Sequence, residues 1–338
     1  MPADTSRNWL AVAGLVLATL LWGSSFVAMK LAFQVYHPMV VVAGRMVVAS
    51  LCFLALWPRF RHIRVRPGDR FYLVLIVLFE PCLYFLFEAG ALTYTSASQA
   101  GVIVALLPVM VVVSAGIFLR EKMTPWALSG LAAAVVGAIW LSLAAGTTLH
   151  APAPLLGNFL EFLAMVCATA YTLLTKRLTR DYPPLFITAL QAFGGSVFFL
   201  PFLLLPGVEL PHTFEPLTVL AIVYLGAGIT LGAYGLYNYA LSRFSAGRVS
   251  VFINLIPVFT VMLGFILLGE RFTPGQFAAS VLILAGVIIS QWDEFYLRRK
   301  RLRSQPKEWL EVSEEMPAGN GRQHQEKSSA QPLQERHR

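Results

Sequence analysis

The chain has 338 residues, 57% of them hydrophobic and only 13% charged, with a net charge of +8. A soluble domain carries about 25% charged residues, so this chain has too little charge to wet a globular surface. Soluble, disordered and disulfide-rich classes are excluded, and a mean hydropathy of +0.66 agrees.

Taken in chain order, ten apolar segments have the length needed to cross a bilayer. They cover 9–33, 39–57, 71–91, 97–119, 126–145, 155–175, 185–205, 217–241, 249–268 and 275–292. The expected fold is an all-α polytopic membrane protein of ten transmembrane helices. The first segment runs on to Phe33 without a small-residue cleavage pattern, so it reads as a retained span rather than a leader. The eighth is the least regular, interrupted by Gly226, Gly228, Gly232 and Gly235. Cys52, Cys82 and Cys167 lie singly inside apolar spans and read as packing residues.

The connections carry a charge asymmetry. Arg59, Arg61, Arg64, Arg66 and Arg70 follow the second span, and Arg120 and Lys122 the fourth. Lys176, Arg177 and Arg180 follow the sixth, Arg243 and Arg248 the eighth, and a basic run opens the tail after the tenth. Arg271 alone occupies a connection on the opposite side. The positive-inside rule then puts both termini in the cytoplasm, as an even number of spans requires. Residues 298–338 are polar, rich in charge, and expected to be a disordered cytoplasmic tail. The Arg298–Arg303 run opening that tail suits either a stop-transfer anchor or contact with anionic headgroups.

The sequence also repeats itself at an offset of 149 residues. Ala91-Leu92-Thr93-Tyr94-Thr95-Ser96-Ala97 returns as Ala240-Leu241-Ser242-Arg243-Phe244-Ser245-Ala246. Pro108 returns as Pro257, and Glu121-Lys122-Met123-Thr124-Pro125 as Glu270-Arg271-Phe272-Thr273-Pro274. The expected division is therefore 1–148 and 149–297, each a five-helix unit. A tandem unit of odd helix number enters the membrane from opposite sides, which makes the pair inverted. Both Glu-x-x-Thr-Pro segments read as helix entries, with Thr as N-cap and Pro at the first helical position. Pro108 and Pro257 are expected to bend spans four and nine at matching positions.

These segments carry a resemblance. The run Leu21-Trp22-Gly23-Ser24-Ser25-Phe26-Val27-Ala28-Met29-Lys30, the segment Tyr94–Ser98, and the stretch from Pro108 to Pro125 are similar to the drug/metabolite transporter superfamily, EamA-type. The resemblance covers roughly residues 9–292 and implies a ten-helix carrier with both termini inside, moving small metabolites, commonly outward, without ATP. It names no substrate. The chain departs from that pattern at Glu80 and Glu88, in a third span that is otherwise apolar or Gly-rich among such carriers.

Polar groups in hydrocarbon need a reason, because a charge at mid-bilayer costs roughly 2.5–3.5 kcal/mol. On a regular helix Glu80 and Glu88 stand about 80° apart with Tyr84 between them, forming a polar stripe beside the helix-breaking Pro81. Glu161 heads a face with Met165, Thr169 and Thr172 in the sixth span. Glu80, Glu88 and Glu161 are the candidates for proton coupling, with snorkelling or structural pairing the competing roles. Lys30 and Arg45 are the candidate counter-charges; Arg45 suits an anionic group of a substrate or a salt bridge to Glu88. Trp22, Ser24, Ser25, Arg45, Tyr84, Glu88, Tyr171, Tyr234, Asn238 and Asn254 are the candidate substrate-binding residues. Helix back-bonding by the serines and interhelical bonding by the asparagines compete with that role.

The sequence lacks GxxxxGK[ST], HExxH and GxSxG patterns, and its histidines fall in connections or the tail. No catalytic residue, metal or cofactor is expected. A secondary carrier, a probable-exporter type for amino acids or related compounds in a prokaryotic inner membrane, is the leading expectation. An intramembrane lipid-modifying enzyme and a membrane receptor or scaffold are the rivals; the short loops offer the latter no ordered extramembrane domain.

Overall fold

The computed structural model describes residues 5–119, 125–148 and 151–290. The Glu121–Thr124 part of the first Glu-x-x-Thr-Pro segment, His150 and the 298–338 tail lie outside the described residues. The described regions are helical throughout, apart from short connections and one isolated bridge between Thr148 and Ala151.

Helix α1 spans Thr5–Phe33 and α2 Pro38–Ala55, entered through the His37 side chain, whose Nδ1 accepts from Met39 N. Span three consists of α3 (Arg70–Val77), a π-helical segment (Leu78–Leu83) and α4 (Tyr84–Tyr94). The break falls at Glu80, whose backbone is extended (φ −141°, ψ 111°); the Glu80–Pro81 peptide is cis. Span four is split into α5 (Ala97–Ile103) and α6 (Leu106–Leu119). It parts four residues before Pro108, where a proline ring crowds the preceding turn. Helices α7 (Pro125–Leu143), α8 (Pro154–Leu178) and α9 (Pro184–Phe199) follow.

Span eight is interrupted in the corresponding place but stays helical: α10 (Pro216–Val223), a π-helical segment (Tyr224–Ala233) and α11 (Tyr234–Arg243). Span nine breaks as span four does, with α12 (Ala246–Ser250), a 3₁₀ turn (Val251–Asn254) and α13 (Leu255–Leu267), and α14 (Pro274–Ser290) completes the bundle. Four segments that read as continuous spans thus depart from regular α-helix, three of them beside the prolines Pro81, Pro108 and Pro257.

Among the described residues, eight helical stretches, with the interrupted pieces counted together, are long and apolar enough to cross a membrane. Leu128–Leu143 and Pro274–Ser290 are shorter apolar helices. The outer faces of α7, α9 and α13 expose large apolar side chains, among them Val136, Ile139, Val197, Phe265 and Ile266, a surface that suits lipid. Helices α7 and α14 form a tight pair because neither carries a side chain where they touch. A Cβ on Gly130 would come within 2.4 Å of the Gly286 carbonyl, and one on Gly286 within 2.6 Å of the Gly130 carbonyl. The described residues form one compact unit.

Equivalent contacts recur in the two halves, the serine caps at a sequence offset of 149 and the lysines at 146. The Ser96 hydroxyl caps α5 by accepting from Gln99 N, and the Ser245 hydroxyl caps α12 by accepting from Arg248 N. Lys30 donates to the carbonyls of Leu92 and Thr95 at 2.6 and 2.7 Å, and Lys176 to those of Leu241 and Phe244 at 2.8 and 2.6 Å. Each ammonium therefore sits on the carbonyl end of a helix, where the backbone dipole favours a cation.

Candidate functional site

The broken helices surround a central cavity of about 510 Å³ of empty volume, its open mouth included. Helix α1 presents Trp22, Ser25 and Phe26 to it, and α2 presents Arg45. The break in span three supplies Glu80; α4 supplies Tyr84, Phe85 and Glu88. Helix α8 adds Met165, Ala168, Tyr171 and Thr172, and α11 adds Tyr234 and Tyr237. Val104, Leu107, Ile253 and Ile256, flanking the breaks in spans four and nine, form an apolar wall.

The charged groups are buried and unequally satisfied. Glu88 Oε1 accepts from the Tyr84 hydroxyl at 2.8 Å, and Oε2 lies 3.9 Å from Arg45 Nη1. Arg45, 1% exposed, also directs Nη1 at Met29 Sδ (3.3 Å) and both Nε and Nη2 at Thr230 Oγ1 (3.4 Å). Its guanidinium carbon stands 4.1 Å over the Phe85 ring, a cation–π contact. Glu80, also 1% exposed, does not snorkel: neither carboxyl oxygen has a hydrogen-bond partner. Its backbone carbonyl, released by the helix break, accepts from Gln191 Nε2 at 2.9 Å. The Tyr234 hydroxyl lies within electrostatic reach of the Glu80 carboxyl without making a hydrogen bond.

Aromatic rings complete the site. Trp22 meets Tyr234 and Tyr237 edge-on at centroid distances of 5.1 and 5.0 Å, and Tyr171 stacks on Tyr237 at 6.1 Å. The Trp22 Nε1 donor is buried without a partner.

Of the substrate-binding candidates, Trp22, Ser25, Arg45, Tyr84, Glu88, Tyr171 and Tyr234 line the cavity. Ser24, Asn238 and Asn254 do not line it. Ser24 back-bonds to Leu21 O and shares a hydrogen bond with the Tyr224 hydroxyl; Ser25 also back-bonds, to Trp22 O. Asn238 accepts from the Tyr171 hydroxyl and donates to Thr188 Oγ1, so it fixes Tyr171 from behind. Asn254 lies at the break before α13, its Oδ1 unpartnered. Glu161 is fully buried, one turn before Met165, with both carboxyl oxygens unpartnered. Lys30 is directed to the α4 carbonyls and is not among the residues lining the cavity.

Sequence reasoning missed Phe85 and Tyr237, apolar or aromatic positions in apolar helices. The offset of 149 was a usable signal for the second, since it pairs Tyr237 with Glu88. It also missed the reach of Glu270. Thr273 and Gln276 do form a reciprocal cap at the entry of α14. Glu270 just before them extends across the molecule, its two oxygens accepting from Ala97 N (2.9 Å) and Ser98 N (2.8 Å) at the start of α5.

A model of the EamA-like transporter family matches the chain twice, over residues 9–143 and 155–292. The chain belongs to that family. It is an integral, multi-pass membrane protein of a transporter family. It is 29% identical over 285 residues to the uncharacterized transporter YcxC of Bacillus subtilis, covering 81% of this chain and 90% of that protein. Over 280 residues it is 27% identical to a probable terminal-alkyne amino-acid exporter of Streptantibioticus cattleyicolor, covering 82% of this chain and 92% of the relative. A solved crystal structure shares the fold with a TM-score of 0.60 and 19% identity, covering 86% of this chain and 98% of the other.

Proposed function

We infer that this protein is a secondary carrier that exports a small metabolite, such as an amino acid or a related compound, across a prokaryotic cytoplasmic membrane. The observation that carries this reading is the central cavity, where two buried carboxylates, Glu80 with neither oxygen hydrogen-bonded and Glu88 paired with Arg45, face aromatic rings between interrupted helices. Broken helices at a binding site are the arrangement alternating-access carriers use. The corresponding helix interruptions and serine caps at the 149 offset, with the lysine contacts at 146, support two inverted five-helix repeats, and the two separate family matches agree with that division. Counting the two shorter apolar helices as spans gives ten, with both termini in the cytoplasm.

In this reading Trp22, Ser25, Tyr171 and Tyr234 contact the substrate, Arg45 holds Glu88 in place, and Glu80, Glu88 and Glu161 offer proton stations. Ser24, Asn238 and Asn254 shape the walls from outside the cavity. The relative named as an amino-acid exporter supports the substrate class.

Solute counterflow in proteoliposomes tests the carrier. Vesicles preloaded with unlabelled amino acids should take up labelled ones faster than empty vesicles, and equal uptake would refute exchange. Orientation is checked in whole cells: a cysteine at His212 should react with an impermeant thiol reagent and one at Arg64 should not.

A further inference from the structure

Resting on the carrier reading above, we propose that the cargo is recognised through a protonated amine seated on Glu80, and that a free carboxylate on the cargo is dispensable. The wall of the cavity holds two carboxylates, Glu80 and Glu88, against one guanidinium. Arg45 is already committed: it faces Glu88 at 3.9 Å, reaches Thr230 and Met29, and has one face covered by Phe85. That arrangement leaves no forked donor open to a carboxylate of the cargo. Glu80 is in the opposite condition. It is 1% exposed, neither oxygen accepts a hydrogen bond, and it has no ion pair among the described residues. Arg45 attracts the Glu80 carboxyl only from beyond ion-pair distance; a buried carboxylate without a contacting counter-charge is costly, and an entering cation relieves that cost.

The surroundings say which cation. Trp22 and Tyr171 both pack against Tyr234, whose hydroxyl neighbours the Glu80 carboxyl. Aromatic faces attract organic ammonium groups, whereas an inorganic cation would require a shell of oxygen ligands. The opposite wall of Val104, Leu107, Ile253 and Ile256 accepts an apolar body. The unpartnered Trp22 Nε1 can donate to a neutral acceptor on the cargo. The ligand class is therefore an amine with an apolar or aryl body.

Equilibrium binding to the purified, full-length protein tests this with three probes sharing one aryl body: 2-phenylethylamine, phenylalanine and 3-phenylpropionate. The amine should bind at least as tightly as the amino acid, and the acid at least about tenfold more weakly. Glu80→Gln should weaken the amine by about tenfold or more, while Glu80→Asp, which keeps the charge, should retain the ranking of the probes. Thermal unfolding of each variant establishes that it is folded, and the Asp variant carries the test if the Gln variant is not. Preference for the acid, an unchanged amine affinity in Glu80→Gln, or no binding of the amine would each overturn the proposal. Counterflow separates the two claims. Amine binding without exchange would sink the carrier and leave the amine site standing, while exchange that prefers the acid would do the reverse.

Discussion

The third and eighth spans are interrupted at corresponding places and differ in what they place there. In both, a short α-helix gives way to a π-helical segment, Leu78–Leu83 in one and Tyr224–Ala233 in the other, before a second α-helix resumes. At the offset of 149, however, Glu80 faces Ile229, Pro81 faces Thr230 and Glu88 faces Tyr237. One break presents carboxylates to the cavity; the other presents phenols, together with the Thr230 hydroxyl that steadies Arg45. Repetition has preserved the fault in the helix while the chemistry has become one-sided. The broken turn is a property of the architecture, and the charge is a property of this chain's first half.

Removing Arg45 should produce the largest effect on that asymmetry. Arg45→Leu leaves Glu88 buried without its counter-charge, and thermal unfolding in detergent should show a loss of about 3 kcal/mol. The double variant Arg45→Leu, Glu88→Leu should recover most of it, because an apolar pair has no charge to strand. A double variant no more stable than the single one would mean that Arg45 contributes through packing on Phe85 rather than through Glu88. The eighth span should respond more weakly. Thr230→Val deletes the hydroxyl that Arg45 and the Leu225 carbonyl share, and should cost about 1 kcal/mol while leaving counterflow intact. A loss as large as that of Arg45→Leu would place the organising centre in the second half instead.

The walls of the cavity were legible in the sequence where chemistry contrasts with lipid. Glu80, Tyr84, Glu88, Arg45 and Tyr171 stand out in apolar spans because each carries a polar group that hydrocarbon cannot satisfy. The helix breaks beside Pro81, Pro108 and Pro257, and within the glycine-rich eighth span, follow from backbone chemistry that a single residue reveals. Phe85, Ile253 and Ile256 were hidden because an apolar side chain looks the same whether it faces lipid or a cavity. The separation of Ser24 from Ser25 and the retreat of Asn238 behind Tyr171 depend on rotation about helices, which hydropathy does not fix. Glu270 was misread for a different reason. Its local motif explains the entry of α14, and nothing local discloses that its carboxylate ends on Ala97 and Ser98.

The central claim is that the carboxylates of the third span couple proton movement to transport. Glu88→Gln keeps the shape of the side chain and removes the proton it can exchange. In proteoliposomes the variant should lose pH-gradient-driven transport and keep counterflow, since exchange requires no net proton release. If Glu88→Gln still transports at the wild-type rate when driven by a pH gradient, Glu88 serves only to satisfy Arg45 and Tyr84, and the coupling account is wrong.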